Sequence, residues 1–155
     1  MTSRIHQTQS GFSMIEILIT LVILAFGLIG LAGLQAVGLK NSQSSLIRSQ
    51  ATLAGYDILD RMRSNCSAAL NGNYDLALSA TSPPGSSIEA TDLSEWLTAI
   101  SNSLISGEGG VSVDAANFIA TVTIQWDDSR STSGSSSQQL VLTGVLPSLA
   151  TCQAS

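Results

Sequence analysis

The longest apolar segment of the chain lies near its N-terminus. From Ile17 to Leu34 no residue is charged, and only Thr20 has a polar side chain. A helix rises about 1.5 Å per residue, so this segment nearly matches the roughly 30 Å hydrocarbon layer of a bilayer. The pattern predicts a membrane-spanning helix. The alternative is a cleaved secretory signal, whose apolar core is usually shorter, about 7–15 residues, and ends at a small-residue cleavage site.

The residues after this segment continue a helical pattern without proline. Asp57 and Arg61 are spaced i,i+4 in the acid-first order that stabilises helices, and Asn65 is a suitable helix end. The apolar residues recur at three- or four-residue steps and share one face: Ile47, Ala51, Ala54, Ile58 and Met62. The pattern therefore predicts one helix of roughly fifty residues, whose second half packs on the remaining chain because an isolated amphipathic helix gains little.

The rest of the chain predicts a shorter helix and a small sheet. Pro83-Pro84-Gly85 marks an irregular connection, and Asp92 with Glu95 resembles a capping box that opens a helix ending at Gly107. The segment FIATVTIQW alternates, which predicts a strand with Thr121 and Thr123 on its outer face and an inner face of Phe118, Ala120, Val122 and Ile124. QQLVLTGVLP is a second segment rich in β-formers, and the serine-rich DDSRSTSGSSSQ lies between the two. We expect an antiparallel hairpin, extended by GVSV, laid against the long helix. The predicted class is α+β.

Composition narrows the function. Charged residues make up 11% of the 155 residues, the formal net charge is −5, and no basic run is present. Phosphate binding needs clustered cations, so nucleic acid is not an expected partner.

Candidate catalytic and metal-binding groups are few. His6 is the single histidine and precedes the membrane segment. Its position argues against a catalytic site of the Ser-His-Asp or Cys-His type, which would have to form across the membrane boundary. Asp127-Asp128 lacks the calcium-loop pattern, so an exposed turn is favoured, and the glycines of GEGG (107–110) fit a helix stop better than a phosphate loop. We expect no enzyme activity, no cofactor, no metal and no small-molecule substrate.

Four further residues have two interpretations each. Arg61 and Arg63 are expected to form a solvated helix end, although they would also suit an acidic partner. Trp96 and Trp126 are expected in the hydrophobic core, although two tryptophans would also suit a ligand platform.

Two cysteines follow the membrane segment on the same side, Cys66 and Cys152. An even number of cysteines in an exported domain favours a disulfide, and two separate buried thiols are the alternative.

The segment GFSMIEILITLVILAFGLIGLAGLQ resembles the N-terminus of type IV pilins and pseudopilins. These have a short hydrophilic leader ending in glycine, then phenylalanine, a glutamate four residues later and an apolar helix. The later RSQATLAGYDILDRMRSN and the WDD that ends a strand resemble PilV-type minor pilins. The resemblance implies a lollipop-like fold with a long helix and an antiparallel sheet. This segment departs from many major pilins because it has no proline, and Gly27, Gly30 and Gly33 occupy that region.

The same resemblance implies site residues. A prepilin peptidase would cut after Gly11 and methylate the new amine of Phe12. Glu16 would then pair with an amine, either that of its own Phe12 or that of a neighbouring subunit, which offsets the cost of a carboxylate near lipid. The alternative is that Glu16 simply reaches toward the lipid headgroups.

We therefore expect a minor pilin that promotes assembly of a type IV pilus, together with other minor pilins, the major pilin and prepilin peptidase. The alternatives are a type II secretion pseudopilin, a major pilin and a single-span anchored protein unrelated to filaments. The expected segments are a leader (1–11), a transmembrane and assembly helix (12–39) and a globular domain (40–155). Arg4 and His6 precede the span, which favours a cytoplasmic N-terminus in the inner membrane and a periplasmic domain that later enters the pilus.

Overall fold

The computed structural model describes residues 11–152. In chain order the elements are α1 (Met14–Ser64), α2 (Cys66–Leu70), α3 (Ile88–Ser103), β1 (Glu108–Asp114), β2 (Ile119–Trp126), β3 (Gln138–Val145) and α4 (Leu149–Cys152). The predicted long helix is confirmed as α1, which has 51 residues. The chain divides into two compact units between Leu39 and Lys40, so α1 contributes to both.

The second unit is an α+β fold, as predicted. Its sheet has the strand order β1-β2-β3, and both pairs are antiparallel. Val122 of β2 lies opposite Val111 of β1 and Leu142 of β3. The alternating side chains Ala120, Val122, Ile124 and Trp126 are buried, which confirms the predicted inner face of β2.

The second half of α1 packs on this inner face. The predicted apolar face is confirmed, since Ala51, Ile58 and Met62 are fully buried and Ile47 and Ala54 are partly buried against the same core. Gly55 and Gly144 allow the close approach of helix and sheet. A Cβ at Gly144 would lie 2.8 Å from Cδ2 of Leu59, and one at Gly55 would overlap the side chain of Leu142.

The start of α3 differs from the prediction. The helix begins one turn earlier, at Ile88, and Ser87 is its N-cap, whose hydroxyl accepts a 3.4 Å hydrogen bond from the Ala90 N–H. The capping box at Asp92 and Glu95 was therefore wrong. Both carboxylates lie inside the helix, where an i,i+3 pair of acids faces the same side and is free to bind another element.

The glycine-rich segment 107–110 was also misassigned in part. The helix ends at Ser103, and Gly109 and Gly110 belong to β1. Both are buried, and a Cβ at Gly109 would lie 2.5 Å from the ring of Trp96. Gly109 allows the close packing of β1 on α3, and Gly110 allows the close approach of the main chain at Leu78.

The serine-rich loop 127–137 is anchored at its start. Asp127 donates its N–H to the Ile105 carbonyl, and Asp128 donates its N–H to the Ser135 carbonyl. The expectation of an exposed turn was wrong for Asp128, which is 3% exposed and accepts a 2.7 Å hydrogen bond from Ser44 of α1. Tertiary contact with α1, which local sequence does not encode, buries this carboxylate.

Candidate functional site

The three residues before α1 are not helical. Gly11 has no atom within 4 Å of the position a Cβ would take, and Phe12 is 81% exposed. Among the described residues, helical hydrogen bonding starts at Ser13, whose carbonyl accepts from the N–H groups of Glu16 and Ile17 at 3.0 and 3.3 Å. The peptide bond between Gly11 and Phe12 is thus exposed and lies outside the helix.

Glu16 lies in the first turn of α1. A carboxylate is favourable there because the first N–H groups of a helix have no partners in the helix and carry a partial positive charge. No salt bridge among residues 11–152 includes Glu16. Phe12 precedes Glu16 by four residues, so cleavage after Gly11 would create an amine within about one helical turn of this carboxylate.

The apolar part of α1 is exposed throughout the first unit. Every side chain from residue 14 to residue 39 is exposed in this chain. Within α1 an 18-residue window reaches a mean hydropathy of 2.8, so the helix is long and apolar enough to cross a membrane. Contiguous apolar surface of this extent marks an interaction with lipid or protein.

The structure joins Cys66 and Cys152 in a disulfide, as predicted. Their Cα atoms are 5.8 Å apart although 86 positions separate them in the sequence. Cys66 opens α2 and Cys152 ends α4, so the bond fixes the C-terminal helix beside the end of α1. The bond closes a loop that contains α3 and the whole sheet.

Arg61 is not a solvated helix end, which corrects the prediction. Its guanidinium donates to Asp92 at 3.1 Å and to Glu95 at 2.8 Å on α3, and to Asp57 at 3.1 Å on its own helix. These carboxylates, Glu95 first, raise the pKa of Arg61 further above its usual range. Arg61 therefore joins α1 to α3.

Tyr74 extends the same network. It is fully buried, donates its hydroxyl to Asp92 at 2.5 Å and accepts from the Asn65 amide at 3.3 Å. Burial, and then the hydrogen bond to Asp92, raise the pKa of Tyr74. Sequence reasoning missed this group because its partners are far apart in the chain, and the one available signal, the pair Asp92 and Glu95, was interpreted as a cap.

The two tryptophans lie in the core, as predicted. Trp96 is 1% exposed and donates its indole N–H to the Ala54 carbonyl of α1 at 2.8 Å. Trp126 is 2% exposed, and its indole N–H has no partner among the described residues. Both rings lie inside the packed core of the second unit, where they form no ligand platform.

The described residues include no group of three or more His, Cys, Asp and Glu side chains placed to hold a metal ion. His6 lies outside the described residues. The chemistry that the structure does present is the accessible Gly11–Phe12 peptide, the Glu16 carboxylate one turn further on and the apolar helix behind them.

One comparison with known proteins bears on this site. Residues 6–32 match the family described as the prokaryotic N-terminal methylation motif. No curated protein and no solved structure shows a significant match to the chain. The motif supports a type IV pilin-like protein related to a pilus or a pseudopilus, with prepilin peptidase processing and a single membrane anchor as its context.

Proposed function

We propose that the chain is a minor pilin subunit that promotes initiation and assembly of a type IV pilus and has no catalytic activity. The observation that carries the proposal is the methylation motif over residues 6–32, which contains the exposed Gly11–Phe12 peptide and the start of an apolar helix. The likeness of residues 48–65 to PilV-type minor pilins favours a minor rather than a major subunit.

Processing begins the proposed pathway. Prepilin peptidase cuts after Gly11 and methylates the amine of Phe12. Cleavage is supported by the accessibility of Gly11 and by the non-helical conformation of Gly11 and Phe12. The Gly11–Phe12 bond lies outside α1, so cleavage there requires no unwinding of this helix.

Assembly then uses Glu16. A charged side chain at the centre of a membrane helix costs roughly 2.5–3.5 kcal/mol on insertion scales, and less near an end. The carboxylate is retained because it pairs with the Phe12 amine of a neighbouring subunit as helices come together. The other minor pilins and the major pilin are the partners.

The location follows from the same arrangement. The precursor is a single-pass protein of the bacterial inner membrane, with residues 1–11 in the cytoplasm and residues from about 40 onward in the periplasm. The disulfide between Cys66 and Cys152 suits an oxidising periplasm. The mature chain then enters the pilus.

Processing is tested by sequencing the N-terminus of the protein purified from membranes. We expect mature protein that starts at Phe12, whereas Gly11→Val leaves the full-length precursor. Gly38→Val is the matched control, because Gly38 also has no atom within 4 Å of a Cβ and lies outside the motif. Wild-type protein that keeps residues 1–11 would favour the single-span anchored protein and overturn the proposal.

The role of Glu16 is tested by Glu16→Ala and Glu16→Gln. Both variants insert and are cleaved, because removal of a charge lowers the insertion cost. Neither forms cross-links to the other pilins, and sheared pili fall toward the level of a deletion strain. Glutamine keeps the shape and polarity of the side chain, so normal pili from Glu16→Gln would show that the charge has no role in assembly.

The motif also fits a type II secretion pseudopilin. Deletion strains distinguish the two functions: loss of surface pili with normal protein secretion supports the minor pilin, and loss of secretion with normal pili supports the pseudopilin.

A further inference from the structure

The two edges of the sheet differ in whether another segment hydrogen-bonds to them. Along the outer edge of β1, Val111 and Leu76 exchange two main-chain hydrogen bonds of 2.8 Å. The next outward N–H, that of Val113, donates to the Asp75 carboxylate at 2.8 Å. The segment around Leu76 therefore covers this edge and leaves little room for another strand.

Among the described residues, no segment covers the outer edge of β3 in this way. In an antiparallel pair successive residues point their main-chain groups alternately toward and away from the partner strand. Leu146 donates its N–H to Phe118, so the even-numbered residues of β3 face β2, and Gln139, Val141 and Thr143 point outward. Within residues 11–152 the main-chain groups of these three residues have no hydrogen-bond partner. At the end of the strand, the Val145 carbonyl accepts from Arg63 at 3.4 Å.

The sequence of β3 contains none of the usual protections of an edge strand. Natural proteins block exposed edges with charges, proline, bulges or very short strands. The eight residues QQLVLTGV include no charge and no proline, and they pair with β2 in continuous register. Val141 is 56% exposed on the outer face of the sheet. A bare, uncharged edge of this length is suited to main-chain pairing with another strand.

We propose that β3 pairs with the β3 of a second copy of this chain, antiparallel and about a twofold axis, to continue the sheet to six strands. The covered edge of β1 excludes head-to-tail addition, so β3 is the edge that two copies can share. A twofold contact brings the same side chains together, and an uncharged strand does so without opposing like charges.

The geometry restricts the register of this pair. Only the odd-numbered residues of β3 point their main-chain groups outward, so odd residues of one copy lie opposite odd residues of the other. Strand pairing alone buries a small area, and anchoring of both copies in one membrane raises their effective concentration. We therefore expect the pair in membranes rather than in dilute detergent. This inference does not depend on the proposed pilin function.

The test uses the full chain in its native membrane with the Cys66–Cys152 disulfide intact. Val141→Cys places a thiol on the outer face of β3, and Thr121→Cys places one on the same face of the central strand β2. A short thiol-specific cross-linker spans the neighbouring registers. We expect a covalent homodimer from Val141→Cys, because facing residues of a strand pair have Cα atoms about 5.5 Å apart, and monomer from Thr121→Cys.

A second pair of variants tests the main-chain contact itself. Thr143→Pro removes an outward N–H and leaves the bonds to β2 intact, which edge strands tolerate. In the Val141→Cys background it lowers the dimer yield at least about tenfold, a change equivalent to about 1.4 kcal/mol, because both copies lose a donor. Thr143→Ser is the matched control and leaves the yield unchanged. Thr143→Lys replaces the proline variant if that fails to fold, and it acts by opposing two charges.

Three results would overturn the proposal. Equal dimer yields from Val141→Cys and Thr121→Cys would show random collision. Adducts of Val141→Cys to a protein of another mass would show that the strand pairs with a different subunit. A dimer that persists in both Thr143→Pro and Thr143→Lys would show that β3 does not carry the contact.

Discussion

The two halves of α1 have opposite surroundings. From residue 14 to residue 39 every side chain is exposed within the chain, including large apolar ones such as Leu24 and Phe26. From residue 40 to residue 64 the helix buries Ala51, Gly55, Ile58, Leu59 and Met62 against the second unit. The second half of the helix thus packs in the protein core, whereas the first half exposes apolar side chains that lipid or another protein would cover.

Because of this difference, we expect substitutions in the two halves of α1 to affect different properties, stability in one half and contacts outside the chain in the other. The second half packs in the core of the second unit and is joined to α3 by the Arg61 network, so substitutions there change the free energy of unfolding. Among residues 11–152 the first half buries no side chain, so we expect substitutions there to change membrane insertion and contacts with other molecules. Trp96 and Trp126 both lie in the second unit, so tryptophan fluorescence of the full chain during urea unfolding reports on that unit alone.

The largest effect is expected from loss of the disulfide. The bond closes a loop of 86 residues, and in the chain-entropy model such a link stabilises the folded state by about 4–5 kcal/mol. The double variant Cys66→Ser with Cys152→Ser should lower the free energy of unfolding by this order. Reduction of the wild-type protein is the control and should give the same midpoint. Two alkylatable thiols in the exported wild-type protein would contradict the disulfide.

The next largest effect on the free energy of unfolding is expected from a Leu→Ala substitution in the second half of α1, and the same substitution in the first half is its control. Leu59→Ala should lower the free energy of unfolding by about 2–5 kcal/mol, because Leu59 is 1% exposed and its truncation leaves a cavity. Leu24→Ala, in the same helix, should change it by less than about 0.5 kcal/mol, because Leu24 is 59% exposed. Equal decreases of the urea midpoint in both variants, relative to the wild type, would show that the first half also packs against the second unit.

A smaller effect is expected at the link between α1 and α3. Arg61→Ala removes three ion pairs that are partly exposed to solvent, so we expect a loss of about 1–2 kcal/mol that shrinks at high salt. Arg48→Ala is the matched control on the same helix, since Arg48 is exposed and forms no salt bridge among the described residues. Urea unfolding in low and high salt measures both. The interpretation fails if Arg61→Ala is as neutral as Arg48→Ala.

The last prediction concerns Tyr74, whose titration changes the free energy of unfolding only in alkaline solution and has the smallest effect at neutral pH. Its pKa is raised in the folded state, so above the unfolded value of about 10 the folded chain holds a proton that the unfolded chain releases. The free energy of unfolding should therefore fall above about pH 10, by up to about 1.4 kcal/mol per pH unit. Tyr74→Phe should remove this slope, and Tyr56→Phe, at an exposed tyrosine, should keep it. Equal slopes in the two variants would exclude Tyr74 as the titrating group.

Local periodicity was sufficient for most of the fold. The apolar run and the three- to four-residue spacing after it predicted α1, and alternation predicted β2 with its inner face. These patterns predict the elements correctly because each element turns one apolar face toward the core or toward lipid. The spacing of apolar residues within the segment shows which face that is. The candidate processing residues Gly11 and Phe12 and the candidate assembly residue Glu16 could also be named from the sequence, because they lie in one short contiguous motif.

Two of the errors occurred where distant segments meet. Asp92 and Glu95 looked like a local cap, yet they bind Arg61, which lies more than thirty residues earlier. Asp128 looked like an exposed turn residue, yet Ser44 of α1 contacts it across 84 positions. A carboxylate near a turn has the same local pattern whether solvent or a folded partner satisfies it.

The sequence by itself determined the long apolar helix, the α+β class, the candidate processing site and the cysteine pair. Each of these depends on composition, spacing or a short motif within one segment. Only the tertiary structure decided that Tyr74, Asp92 and Arg61 form one network, that Asp128 is buried and that β1 has a covered edge while β3 has a bare one. Those features require chain segments far apart in the sequence to come together, and the free energy of such contacts depends on packing that no local pattern records.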